Sequence, residues 1–193
     1  RSGRVLLGIE VGLQPRAIEE DRKMVQAHPF DEVVGSMHCF DGLDMYEPTT
    51  YEGLTKDQAV RRYLEDSVRC LERKPDFDSY GHIDYISRYM PYEDPNLHYK
   101  DHPDLWDRVF QLLIQENKAL EINTRRLGDD STIPPLLELY KRFRELGGKY
   151  ATLGSDAHYK EHVGRDFAKG KAIADAAGLT LVYYKERKRM LCE

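Results

Sequence analysis

Short apolar runs alternate with amphipathic segments along the whole chain, and this rhythm restricts the fold more than any other feature. Val5-Leu6-Leu7-Gly8-Ile9 reads as a buried strand, and the segment from Pro15 to Ala27 as a helix with Pro15 in its first turn. Val33 to Met37 reads as a second strand, and a polar loop from Phe40 to Thr55 follows. Val60, Tyr63, Leu64, Val68 and Leu71 recur at helical spacing. A weaker third strand is expected near Gly81–Ser87, with Tyr85-Ile86 inside it. A second polar loop, Met90 to His102, leads to a helix from Pro103 that turns Leu105, Val109, Leu112 and Leu113 inward. The second half repeats the pattern: a strand at Ala119–Asn123, then a helix over Leu136, Leu137, Tyr140 and Phe143. Ser131 or Thr132 would cap that helix, and Gly147-Gly148 would stop it. A strand at Tyr150–Gly154, a helix at Phe167–Ala177 ended by Gly178 and a strand at Thr180–Tyr184 complete the series, with the basic tail beyond left extended. Strand–helix alternation implies parallel pairing with helices over the sheet. The class is α/β, either an open doubly wound sheet or part of a (β/α) barrel.

Composition narrows the function classes. The 193 residues carry a net charge of -5, which argues against a broad basic face for nucleic acid. Hydrophobic residues at 40% suffice for one core, and no apolar run approaches the roughly 18 residues of a membrane span. Cys39, Cys70 and Cys192 are odd in number and scattered, against a disulfide framework and in keeping with a cytoplasmic protein. Cys39 follows His38 but has no visible base partner, so it reads as a buried structural thiol.

The chemistry collects at strand ends. Apolar runs end at Glu10, His38, Asn123 and Asp156-Ala157-His158, and His82 stands at the third strand in Gly81-His82-Ile83-Asp84. The carboxyl ends of parallel strands form the functional face of both architectures, so these groups can converge. Taken singly, a strand-end glutamate is usually solvated and a lone histidine usually a hydrogen-bonded structural residue. Their shared location favours a site for a borderline metal such as zinc, manganese or iron. On extended backbone, Asp156 and His158 would point the same way. Arg125-Arg126 follows the strand ending at Asn123, and arginine matches phosphate with a planar fork of donors. His28, His98, His102 and His162 read as structural, with His98 and His102 near a substrate entrance. Nucleotide-binding loops and the G-x-S-x-G nucleophile elbow are absent from the sequence.

Five motifs occur in order: Gly8-Ile9-Glu10, Gly35-Ser36-Met37-His38, Gly81-His82-Ile83-Asp84, Leu120-Glu121-Ile122-Asn123-Thr124 and Gly154-Ser155-Asp156-Ala157-His158. Together they resemble the polymerase and histidinol phosphatase (PHP) superfamily, nearest its histidinol-phosphate phosphatases, over the chain from Val5 to about Tyr184. The resemblance implies a distorted (β/α)7 TIM-like barrel with two or three divalent ions at its strand ends. It implies that Glu10, His38, His82, Asp156 and His158 are metal ligands, that Asp156 and His158 also serve catalysis, and that Arg126 binds substrate phosphate. The implied activity is metal-dependent hydrolysis of a small phosphate ester, L-histidinol phosphate in histidine biosynthesis. A phosphodiesterase or exonuclease of the same superfamily, or a non-catalytic metal-binding module, is the alternative. The family's opening His-x-His motif is absent from these residues. Two strand–helix units of roughly 30 residues each would supply it, so residues 1–193 are expected to be one PHP domain, N-terminally incomplete.

Overall fold

A computed structural model describes residues 5–192. Its main sheet has seven strands in the order β1 (Gly8–Gly12), β2 (Glu32–Ser36), β5 (Ser79–Tyr80), β6 (Ala119–Asn123), β7 (Tyr150–Gly154), β8 (Thr180–Lys185) and β9 (Lys188–Leu191). Neighbours from β1 to β8 are parallel, and β9 returns antiparallel to β8. A small hairpin, β3 (Cys39–Phe40) and β4 (Leu43–Asp44), lies in the loop after β2. The helices are α1 (Ile18–Ala27), α2 (Lys56–Leu71), α3 (Pro103–Gln115), α4 (Ile133–Glu145) and α5 (Phe167–Ala177). The sheet curls enough for its last hairpin to reach the start of β2, where the Arg187 backbone N–H donates to the Asp31 carbonyl at 2.9 Å. The observed class is therefore α/β with a mostly parallel, barrel-like sheet.

Local chemistry sets the element ends. Thr55 and Gln58 cap α2 reciprocally, each side chain accepting from the other's backbone N–H at 3.2 and 2.9 Å. Val60, Tyr63, Leu64 and Leu71 of α2 are buried as its spacing requires. Pro103 opens α3, and Gly178 ends α5 at φ 70°. The main core holds Trp106, Phe110 and Phe143 among its fully buried side chains, and a second small cluster gathers Ala119, Val182 and Tyr184. Among the described residues no helix is long and apolar enough to cross a membrane.

Four expectations change. The first strand begins at Gly8 rather than Val5: Val5, Leu6 and Leu7 are exposed, and pairing with β2 starts at Gly8 opposite Glu32. α1 begins at Ile18, because residues 15–17 form a turn closed by the Ala17 N–H on the Gln14 carbonyl. The third strand lies earlier, at Ser79–Tyr80, and Tyr85–Arg88 is a 3-10 turn held by i to i+3 bonds from Tyr85 to His82 and Ser87 to Asp84. The basic tail forms β9, turned back at Glu186 and Arg187, both of positive φ, as a tight hairpin demands.

Candidate metal centre

Glu10, His38 and His82 come from three neighbouring strands. Glu10 lies inside β1, opposite Val34, whereas His38 and His82 each stand two residues past a strand end, after β2 and β5. Gly81 lets the chain turn there: a Cβ on it would run into the Ser36 side chain and stand 2.9 Å from Val34 Cγ1. Glu10 Oε1 lies 2.9 Å from His82 Nε2 and 3.3 Å from His38 Nε2. One ligand atom from each of the three residues falls within 4.8 Å of the others. Burial pushes the Glu10 carboxyl up, but the two imidazole contacts outweigh it and hold it well below the ordinary carboxylate range. Two imidazole nitrogens and an ionised carboxylate are a donor set suited to zinc or a similar borderline ion.

Tyr85 packs against both imidazole rings, with centroids 4.6 Å from His38 and 4.9 Å from His82. The Arg88 guanidinium lies over the Tyr85 ring at 5.1 Å. It donates to Asp156 Oδ2 at 2.5 Å and to Asn123 Oδ1 at 3.1 Å. Glu121 is buried behind the His82 turn, and its Oε2 accepts the His82 backbone N–H at 2.7 Å. Burial raises the Glu121 carboxyl above its ordinary value.

Asp156 and His158 are not in the three-residue group. They lie beyond the end of β7, and Asp156 has φ 49°, so the extended-strand argument for their orientation fails. They still face each other across a turn, with His158 Nδ1 at 3.4 Å from Asp156 Oδ1. Arg125 joins them, 3.2 Å from His158 Nδ1 and 3.5 Å from Asp156 Oδ2. Arg126 uses one terminal nitrogen on buried Asp84 at 3.0 Å and the other on Asn96 at 2.9 Å. His102 is buried at the start of α3 beside Asp57 at 3.2 Å, and His98 pairs with Asp94 at 2.8 Å. Cys39 is half-buried, accepts from Gln14 at 3.5 Å, and burial raises its thiol, consistent with an inert side chain. Sequence reasoning assigned no role to Arg88 or Glu121. The Glu-Ile-Asn spacing was the one signal for Glu121, since an acid at the centre of an apolar run implies a buried partner.

A protein of Clostridium acetobutylicum named "Probable histidinol-phosphatase" is 37% identical over 187 residues, 97% of this chain and 73% of its own length. The histidinol-phosphatase of Lactococcus lactis subsp. lactis is 31% identical over 176 residues, 91% of this chain and 65% of its own. The chain thus spans about two thirds to three quarters of these relatives. The crystal structure of a histidinol phosphate phosphatase from Lactococcus lactis, complexed with zinc, L-histidinol and phosphate, superimposes with a TM-score of 0.84 at 28% identity. The superposition covers 96% of this chain and 71% of that one. The PHP domain family matches residues 3–125, a span that includes Glu10, His38 and His82. By that match and by its likeness to these relatives, the chain belongs to the PHP domain family.

Proposed function

We propose that this protein is a metal-dependent phosphatase that hydrolyses L-histidinol phosphate to L-histidinol and phosphate. One observation carries the reading: Glu10, His38 and His82 converge near strand ends in a chain that superimposes on a phosphatase complexed with zinc, L-histidinol and phosphate. Glu10, His38 and His82 would hold one of two or three divalent ions, zinc first among them. Bound there, such ions supply an activated water and neutralise phosphate charge. Asp156 and His158 would complete the ion positions and handle the leaving-group proton, once their arginine partners turn to the ester.

Arg88 and Arg126 would hold the phosphate. Arg88 stacks on Tyr85, which packs against both histidines, and its two terminal nitrogens already donate to two oxygens, one of Asp156 and one of Asn123, as they would to a phosphate. Arg126 keeps one arm on Asp84, while its bond to the neutral Asn96 amide is the weaker one and the one an anion displaces. Three free cysteines fit the reducing cytoplasm where biosynthetic phosphatases act.

The test measures phosphate release by the natural protein loaded with zinc or manganese. Histidinol phosphate should be turned over in preference to p-nitrophenyl phosphate and to a thymidine phosphodiester. Preference for the diester would move the protein to the phosphodiesterase class, and metal binding with no turnover of any ester would make it a binding module.

A further inference from the structure

Glu121 raises a question that the metal centre alone does not answer. It lies on β6, whose five residues are all buried, and it is itself only 8% exposed. An ionisable side chain in such a place costs several kcal/mol unless its hydrogen bonds are used. Its Oε2 accepts from the His82 backbone at 2.7 Å and from Asn123 Nδ2 at 3.2 Å. The neighbouring strand makes room for it: Gly154 pairs with Asn123 in register, and a Cβ there would overlap Glu121 Oε1.

An asparagine amide can present either its oxygen or its nitrogen to a neighbour, and the surrounding hydrogen bonds decide which. Glu121 Oε2 acts as the acceptor for both the His82 N–H and the Asn123 amide nitrogen. Glu121 therefore draws the Asn123 nitrogen toward itself and turns the Asn123 oxygen the other way. That oxygen accepts from Arg88 Nη2 at 3.1 Å and from the Arg125 backbone N–H at 3.1 Å. Rotating the amide would place two donors against each other at Arg88.

We propose that Glu121 is a positioning residue for phosphate recognition. It sets the orientation of the Asn123 amide and thereby holds the Arg88 guanidinium in place. This rests on the reading of Arg88 as a phosphate-binding group. Gly154 belongs to the same device, because only glycine leaves space for the carboxylate.

The experiment uses the natural, metal-loaded protein and four variants: Glu121→Gln, Gly154→Ala, Arg88→Ala and the double variant of Glu121→Gln with Arg88→Ala. Readouts are metal stoichiometry, kcat and KM for histidinol phosphate, and competitive inhibition by inorganic phosphate. Glu121→Gln keeps the shape but can set an amide donor against the Asn123 nitrogen in place of the accepting oxygen. It should retain metal and weaken inhibition by phosphate about tenfold, the worth of one charge-assisted hydrogen bond. In the Arg88→Ala background it should have no further effect. Gly154→Ala, which displaces the carboxylate by contact alone, should reproduce the single-variant loss and stands in if Glu121→Gln fails to fold. Equal losses with and without Arg88, or a loss that follows metal content, would overturn the proposal. An Arg88→Ala protein as active as the parent would overturn the phosphate reading itself, and the positioning role with it.

Discussion

Arg88 Nη1 donates to Asp156 Oδ2 at 2.5 Å, joining two residues 68 positions apart in the chain. Both side chains are largely buried, at 8% and 13% exposure. The pair links the turn that carries His82 to the loop after β7, so both halves of the candidate centre meet at one charge-assisted bond. On the proposed function, a phosphate entering the site would compete with Asp156 for Arg88 and would leave the Asp156 carboxylate available to an ion.

Replacing Arg88 tests that competition. Arg88→Ala is expected to lower kcat/KM for histidinol phosphate about 10- to 100-fold, the range for losing a charged hydrogen bond to substrate. Inhibition by inorganic phosphate should weaken in parallel while metal content holds. Steady-state kinetics with and without added phosphate, alongside metal analysis, check it.

Arg126 should behave differently. Arg126→Ala is also expected to raise KM, but it leaves Asp84, 3% exposed, with no ion-pair partner among the described residues. Breaking a buried pair from one side costs about 3 kcal/mol or more, a fall in Tm of about 6–12 °C for a chain of this size. Arg88→Ala should move Tm less, since Asp156 keeps a second cation, Arg125, at 3.5 Å. Thermal unfolding of the two variants side by side separates binding from stability.

Removing a ligand of the centre should remove metal. His38→Ala, His82→Ala and Glu10→Gln are each expected to weaken zinc binding by more than the roughly 10- to 100-fold cost of losing a supporting hydrogen bond. Zinc at about 100 times its Kd should stabilise the parent by about 2.7 kcal/mol. That increment should vanish in His82→Ala. Titrating zinc while following Tm gives the answer, and a chelator should return the parent to the variant's curve.

Glu32 gives the fold a pH dependence away from the centre. Burial raises its carboxyl above 4.5, a Ser79 hydroxyl bond opposes the shift, and the charges of Glu121 and Asp78 add to it. Below 4.5 the group is protonated in folded and unfolded chains alike, and its stability contribution is complete. As pH climbs through the raised folded value, the unfolded chain has already ionised and that contribution is lost. Glu32→Gln cannot ionise and still accepts the Ser79 hydroxyl. Its Tm should match the parent near pH 4 and exceed it increasingly toward pH 7, by about 2–4 °C for each kcal/mol recovered. Urea or thermal unfolding across pH 4–8 checks the sign.

The chain's own periodicity determined the class of fold. Apolar runs at strand spacing, alternating with faces such as Val60, Tyr63, Leu64 and Leu71, leave parallel pairing as the way to bury both. Parallel strands present their carboxyl ends on one side, so Glu10, His38 and His82 were legible as a group before any coordinate. The tertiary structure decided the rest. The third strand is where β2 and β6 pair with Ser79 and Tyr80, not where local apolarity peaks. Asp156 departs from the extended line because its backbone enters the left-handed region past the strand end. Arg88, Asn123 and Glu121 form one network only across the ends of β5 and β6. Local sequence encodes backbone periods of two and 3.6 residues. The partner of a buried charge is chosen by distance in space, between residues far apart in the chain, and no local period records it.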